Sequence, residues 1–143
     1  MNHKLVWFCL IAFSLLSNNL SAQAILIFGG DDHKVFLGCL NCDKFSSNSI
    51  WNTYGNFGSK FNNTCIWNKF GDYGGKYGDQ SPFNKYASHP PVLVDNDGNF
   101  FGYFTADKFK DKRTDSKLAL FIIDYWEAII EDPGSYYDKI FKK

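Results

Sequence analysis

The chain has 143 residues, fifteen Lys plus Arg balanced by fifteen Asp plus Glu, and aromatic residues make up 19% of it. Balanced charge with no strong basic cluster excludes a nucleic-acid-binding role and attraction to an anionic membrane surface, because both need concentrated positive charge. Rings at this density bring large buried area at small side-chain entropy, which suits a small domain that must offset the ordering of its backbone.

Met1-Asn2-His3-Lys4 is followed by an apolar run over 5–16 and a polar break at Ser17, Asn18 and Asn19. A basic start, a short greasy core and the small residues of Ala22-Gln23-Ala24 read as a signal peptide over 1–24, with a cut after Ala24 or, alternatively, after Ala22. The run falls short of the about 20 residues that cross a bilayer. Cys9 sits inside the greasy core, away from any cleavage site, so a lipid anchor is not expected. Residues 25–143 then form one mature domain, secreted or periplasmic, with no membrane span after cleavage.

The first mature residues, Ile25-Leu26-Ile27-Phe28, give way to Gly29-Gly30-Asp31-Asp32, and the segment 35–40 is again apolar, which predicts a β-hairpin. Next comes a repeat of sixteen residues over 44–88: two full copies and a shortened third, with Trp51, Trp67 and Phe83 in register, each followed by Asn and then by a ring two residues later. Each copy mixes turn formers with rings, so neither a long helix nor a long strand fits. Gly55, Gly58, Gly71 and Gly74 permit positive φ, and Asn52, Asn68 and Asn84 tolerate it or bond their own backbone. The unit is too short and too few in copies for an open solenoid. Short turns with each Ile-Trp pair pinned into one core are expected.

After Pro90-Pro91, the residues Val92-Leu93-Val94, Asn96-Asp97-Gly98 and the apolar stretch 100–105 predict a second hairpin. The basic stretch 108–113 reads as a solvated linker. From there the period changes: Leu118, Phe121, Ile122, Tyr125, Trp126 and Ile129 recur at three and four residues, giving an amphipathic helix over 115–131. Asp132-Pro133 ends it and caps a shorter one carrying Tyr136, Tyr137, Ile140 and Phe141. The whole is an α+β domain of two β-hairpins, an aromatic and glycine-rich loop layer, and two C-terminal helices covering the sheet.

Chemistry has few places to sit. Cys39-Leu40-Asn41-Cys42 in an exported chain points to a disulfide, within the pair or from one of them to Cys65. A redox pair normally opens a helix, whereas this one ends a strand. A zinc shell of Cys39, Cys42, Cys65 and His89 (or His33) is the other use of these residues, although no second close pair completes the spacing; otherwise no cofactor is expected. Asp95-Asn96-Asp97-Gly98-Asn99 resembles the start of a calcium loop but runs into rings where further oxygen ligands are required, so it reads as the hairpin turn. Neither His33 nor His89 lies near an activated nucleophile, and Glu127 and Glu131 sit one turn apart on a solvated helix face. With no catalytic motif, the chain reads as non-catalytic.

The segment 36–42, the two Ile-Trp-Asn-x-(Tyr/Phe)-Gly copies, the segment 90–95 and the segment 98–105 resemble a group of small exported bacterial proteins built on this repeat, over roughly 28–113. The resemblance implies export and a shared fold and carries no site residue across. Cys65 departs from the pattern, standing where the neighbouring copies have Ser49 and Ser81. The expected role is binding of a cell-envelope component or a protein partner through the repeat loops, with Trp51, Asn52, Tyr54, Trp67, Asn68 and Phe70 as candidate contacts; the alternative is an extracytoplasmic thiol–disulfide or zinc-stapled protein.

Overall fold

The computed structural model describes residues 23–142. All of the expected signal segment except Gln23 and Ala24 lies outside the described residues. Strand β1 (Leu26–Gly29) pairs antiparallel with β2 (Val35–Cys39), and β3 (Val92–Val94) with β4 (Phe100–Tyr103), so both expected hairpins form. Strands β1 and β3 also pair, with Ile27 opposite Leu93, which fuses the hairpins into one sheet of order β2-β1-β3-β4. Ile27 and Leu93, on the two central strands, are fully buried. The second hairpin closes on Asp95, whose carboxylate accepts the backbone N–H of Asp97 and Asn99, while Gly98 takes the left-handed φ of +81°. Those bonds satisfy the turn from within.

The repeats form neither helix nor strand. From Asp43 to Gly71 the backbone is a head-to-tail chain of turns, in which each closing residue opens the next: Ser46 N–H bonds Asp43 O, Ser49 bonds Ser46, Asn52 bonds Ser49, Gly55 bonds Asn52, and Ser59 bonds Gly55. The series resumes through Asn62, Cys65, Asn68 and Gly71. Four three-residue steps and one four-residue step account for the sixteen-residue period. Small or polar residues occupy the corners, leaving a short side between corners to point inward or outward.

The Ile-Trp sides point inward. Trp51 and Trp67 are 1% and 0% exposed, their ring centroids lie 5.8 Å apart, and Phe83 continues the stack 6.0 Å beyond Trp67. Each indole is also pegged: Trp67 Nε1 donates to Ile50 O at 2.6 Å, and Trp51 Nε1 to Leu40 O at 2.8 Å. The first copy thus hangs from the end of β2, where Cys39 and Ser49 also bridge, and the second hangs from the first.

Four of the repeat glycines serve closeness and not handedness, while Gly75 takes a left-handed φ of +77°. None of Gly55, Gly58, Gly71 and Gly74 takes a positive φ, contrary to the expectation from sequence. A Cβ on Gly58 would overlap the Asn52 carbonyl, and one on Gly74 the Asn68 carbonyl. Copies this tightly wound leave no room for a methyl group at those corners.

Helix α1 (Lys117–Ile129) starts at Ser116, whose side chain accepts Ala119 N–H; α2 (Pro133–Phe141) starts at Asp132, which caps Ser135 N–H with Pro133 at the first helical position. The buried side of α1 is rotated from the expected stripe. Ala119, Ile122, Ile123 and Ile129 are buried, whereas Phe121 and Tyr125 pack on each other in the open at 4.7 Å. Residues 118–123 are apolar without a break, so periodicity alone does not choose a side, and the ring layer does. The aromatic contacts of both helices fall on the repeats: Trp126 stacks on Phe83 at 4.8 Å, while Tyr137 and Phe141 meet Trp51 at 6.2 and 6.0 Å. The stack is therefore closed at both ends, as a short repeat array requires.

An ion pair reinforces one of those ends. Lys44 Nζ lies 2.8 Å from Asp138 Oδ2, with Lys142 on the other carboxylate oxygen at 3.2 Å. The hydrogen bond from Lys44 holds the Asp138 carboxyl below its ordinary value of 3.8, so the tie stabilises the fold above that pH and is lost as the pH falls through the lower folded-state value. Acid titration of Trp fluorescence should show α2 loosening below pH 3.8, and Lys44→Gln should diminish that part of the transition, Lys142 supplying the remainder, while leaving the neutral-pH fold intact.

Replacing the second indole tests the peg itself. Trp67→Phe keeps a ring in the stack, as Phe83 does in the third copy, but strands the Ile50 carbonyl, a loss of about 2 kcal/mol. Trp67→Ala also opens a cavity and should lose about 3–5 kcal/mol in urea unfolding. A Phe variant as stable as the parent would show the peg to be immaterial.

Candidate functional site: a ladder of exposed rings

The same turn that buries the indole displays the next ring. In each copy the residue after Trp51, Trp67 or Phe83 is an Asn whose Oδ1 accepts the backbone N–H two residues on: Asn52 from Tyr54 and Asn68 from Phe70, both at 3.1 Å, and Asn84 from Tyr86 at 2.9 Å. The other end of each amide donates to a carbonyl six residues upstream, on Ser46, Asn62 and Gly78. With both ends committed, the Asn fixes the turn and the ring must stand outside it. The device recurs with aspartate at Asp43, which receives Phe45 N–H, and at Asp107, which receives Phe109 N–H. Phe61 and Tyr77 occupy the places equivalent to Phe45 in the second and third copies.

These seven rings, Phe45, Tyr54, Phe61, Phe70, Tyr77, Tyr86 and Phe109, are 78–99% exposed. Every one except Tyr54 directly follows a lysine. Four of those lysines lay the ammonium over the ring that follows: Lys44 and Lys69 at 5.3 Å from the centroid, Lys60 at 5.8 Å and Lys85 at 5.1 Å. Such contacts are worth about 0.5–1 kcal/mol at the surface and hold the two side chains together without burying either.

The rings bracket clefts. Phe61 and Phe70, with Lys60 and Lys69 beside them and Trp67 and Asn68 between, line one of about 400 Å³ that Ile130 and Glu131 close from the helical side. Tyr86 and Phe109, with Lys85, Lys108 and Asp107, line a second of about 390 Å³. A smaller one of about 130 Å³ lies between Phe45 and Tyr54. The larger two reach the size of small-ligand sites.

Of the contacts expected from sequence, Tyr54 and Phe70 stand in this ladder. Trp51 and Trp67 do not offer a face to solvent, because they are the internal stack, and Asn52 and Asn68 are spent on the turns. The reading from sequence passed over Phe45, Phe61, Tyr77, Tyr86, Phe109 and their lysines. The signal was present as a Lys-ring doublet recurring at the repeat spacing.

The cysteines settle into separate roles. Cys39 and Cys42 are joined in a disulfide with Cα atoms 5.5 Å apart, closing the loop that carries the Leu40 carbonyl. A ring this small removes little chain entropy, about 2 kcal/mol, so its main effect is to hold the acceptor for Trp51. Cys65 is a buried thiol that donates to Phe57 O at 3.1 Å. His89 lies elsewhere, against Asp79 and Asp31, and His33 bonds Pro90 O. The structure does not bring the zinc shell together: two of its sulfurs are bonded to each other, and among the described residues no three metal-ligating side chains converge.

Burial pushes the Cys65 thiol up to about 12, although the Trp67 and Asn68 backbone amides pull it the other way. It should stay unreactive to thiol reagents in the native protein and react on unfolding. Because Ser49 and Ser81 fill the equivalent corners with buried hydroxyls on Cys42 O and Gly75 O, Cys65→Ser should change unfolding stability by less than about 1 kcal/mol, and Cys65→Leu should be severely destabilising in the same melt. Comparison of this chain with family models, with curated proteins and with solved structures returns no match, so function is argued from the rings and lysines themselves.

Proposed function

We propose that this chain is an exported, non-catalytic domain, secreted or periplasmic, that binds a glycan component of the cell envelope through its repeat turns. The observation that carries the reading is the ring ladder: seven aromatic side chains standing in water, five of them on turns whose Asn or Asp side chain bonds the ring residue's own N–H. A single exposed ring needs no explanation, whereas a repeated row of them marks a surface that gains by being covered. Fully covering one such ring is worth about 1.5–3 kcal/mol. The face of a pyranose, with its C–H groups turned one way and hydroxyls at the rim, packs on an aromatic plane while the rim stays hydrated. Loops pinned to a rigid scaffold are where such recognition is usually carried.

The alternative, an extracytoplasmic thiol–disulfide protein, has the Cys39–Cys42 bond in its favour. Against it stand the full burial of Cys39 and the bond's place at the end of β2, away from any helix N-terminus that would lower a thiol pKa.

Tyr54→Ala and Phe70→Ala touch nothing in the core and should change the unfolding free energy by no more than about 0.5 kcal/mol. Together they should abolish cosedimentation with purified peptidoglycan sacculi. Undiminished cosedimentation, or none by the parent protein, would remove the basis of this reading.

A further inference from the structure

Resting on the glycan reading, the lysines narrow the kind of polymer. Among the described residues, Lys60, Lys69, Lys85 and Lys108 meet no carboxylate within ion-pairing distance; Lys44, tied to Asp138, is the exception in the ladder. Each of the two larger clefts sets two of these ammonium groups against a single acid, Glu131 in one and Asp107 in the other. Asp107 is already engaged, since its Oδ1 receives Phe109 N–H at 3.0 Å. Both clefts therefore carry surplus positive charge at the lip and a ring on each side.

A ring and a cation side by side call for a ligand with an apolar face next to an anionic group. Lysine resting on its own ring neighbour is held more weakly than it would be by a charge-assisted hydrogen bond to a carboxylate, so it is poised to turn to an arriving anion. We infer that the Phe61–Phe70 and Tyr86–Phe109 clefts take an acidic polysaccharide of the uronate class, the sugar faces lying on the rings and the carboxylates meeting Lys60, Lys69, Lys85 and Lys108.

An anionic bilayer also pairs apolar matter with negative charge, but the ladder suits it poorly. Among the described residues no two of the seven rings pair with each other, so they offer separate faces and not the continuous apolar patch that acyl chains would cover, and a lysine stands beside each ring of the Phe61–Phe70 cleft.

Isothermal titration of the purified protein with polygalacturonate, with the same polymer fully methyl-esterified, and with phosphatidylglycerol vesicles separates these cases. The expected result is binding of the acid form at least about tenfold tighter than the ester and weakening with added salt. Lys60→Gln with Lys69→Gln should cost about tenfold for the acid form and leave the ester unchanged. Equal affinity for acid and ester, with the lysine variants silent, overturns the acidic specificity and leaves the glycan reading standing. Failure to bind either polymer, with ring-dependent capture of peptidoglycan intact, overturns it too. Preference for the vesicles overturns both in favour of a lipid surface.

Discussion

An indole N–H reaching a main-chain carbonyl one copy away is the bond on which this architecture depends. A chain of turns has no ladder of backbone bonds to join one coil to the next, so something else must set the distance between copies. Trp67 on Ile50 does this between the first two copies, and Trp51 on Leu40 ties the first copy to the end of β2, each combining a directed hydrogen bond with a large flat surface for the next ring. Buried indoles need a partner for their N–H, and here the partner is the preceding coil for Trp67 and the loop after β2 for Trp51. Sheet, disulfide and helices all meet this stack: β2 and the Cys39–Cys42 loop supply its first acceptor, Tyr137 and Phe141 close one end, and Phe104 and Trp126 close the other.

The repeat divides its aromatics by their neighbours. A ring preceded by Ile goes inside; a ring preceded by Lys stays outside. Isoleucine and tryptophan together make a side that water rejects, whereas lysine beside a ring keeps that side wet and lends the ring a cation. Between the two kinds of side stands the Asn, whose one amide serves both, bracing the turn upstream with Nδ2 and presenting the ring with Oδ1. The buried stack and the exposed rings are thus made by the same few residues, which is why both recur with the coil.

Sulfur is used in two ways within a short stretch. At Cys39 and Cys42 it is a covalent clip at the sheet's edge; at Cys65 it replaces a serine hydroxyl at a corner where the space is small and the surroundings dry. A cysteine left outside the disulfide invites a search for a partner or a metal. Its buried, hydrogen-bonded position inside the second copy answers that search without either.

Much of the local structure was legible in the residues alone, because it is set by short-range rules. Alternating apolar runs with Asn-Asp-Gly between them give hairpins, Asp132-Pro133 caps a helix, and Trp-Asn at a spacing of sixteen gives stacked, buried indoles. Three matters were decided only by the tertiary structure. The pairing of β1 with β3, which joins two hairpins into one sheet, depends on strands 65 or so residues apart along the chain, beyond the reach of any local pattern. The buried side of α1 was open because residues 118–123 are apolar throughout, and the ring layer selected Ala119, Ile122 and Ile123 over Phe121 and Tyr125. The candidate site was half visible: the sequence shows which rings recur, but a ring is core or display according to which way its turn faces. That direction is set when the coils close on one another and the space inside has been filled by Trp51, Trp67 and Phe83.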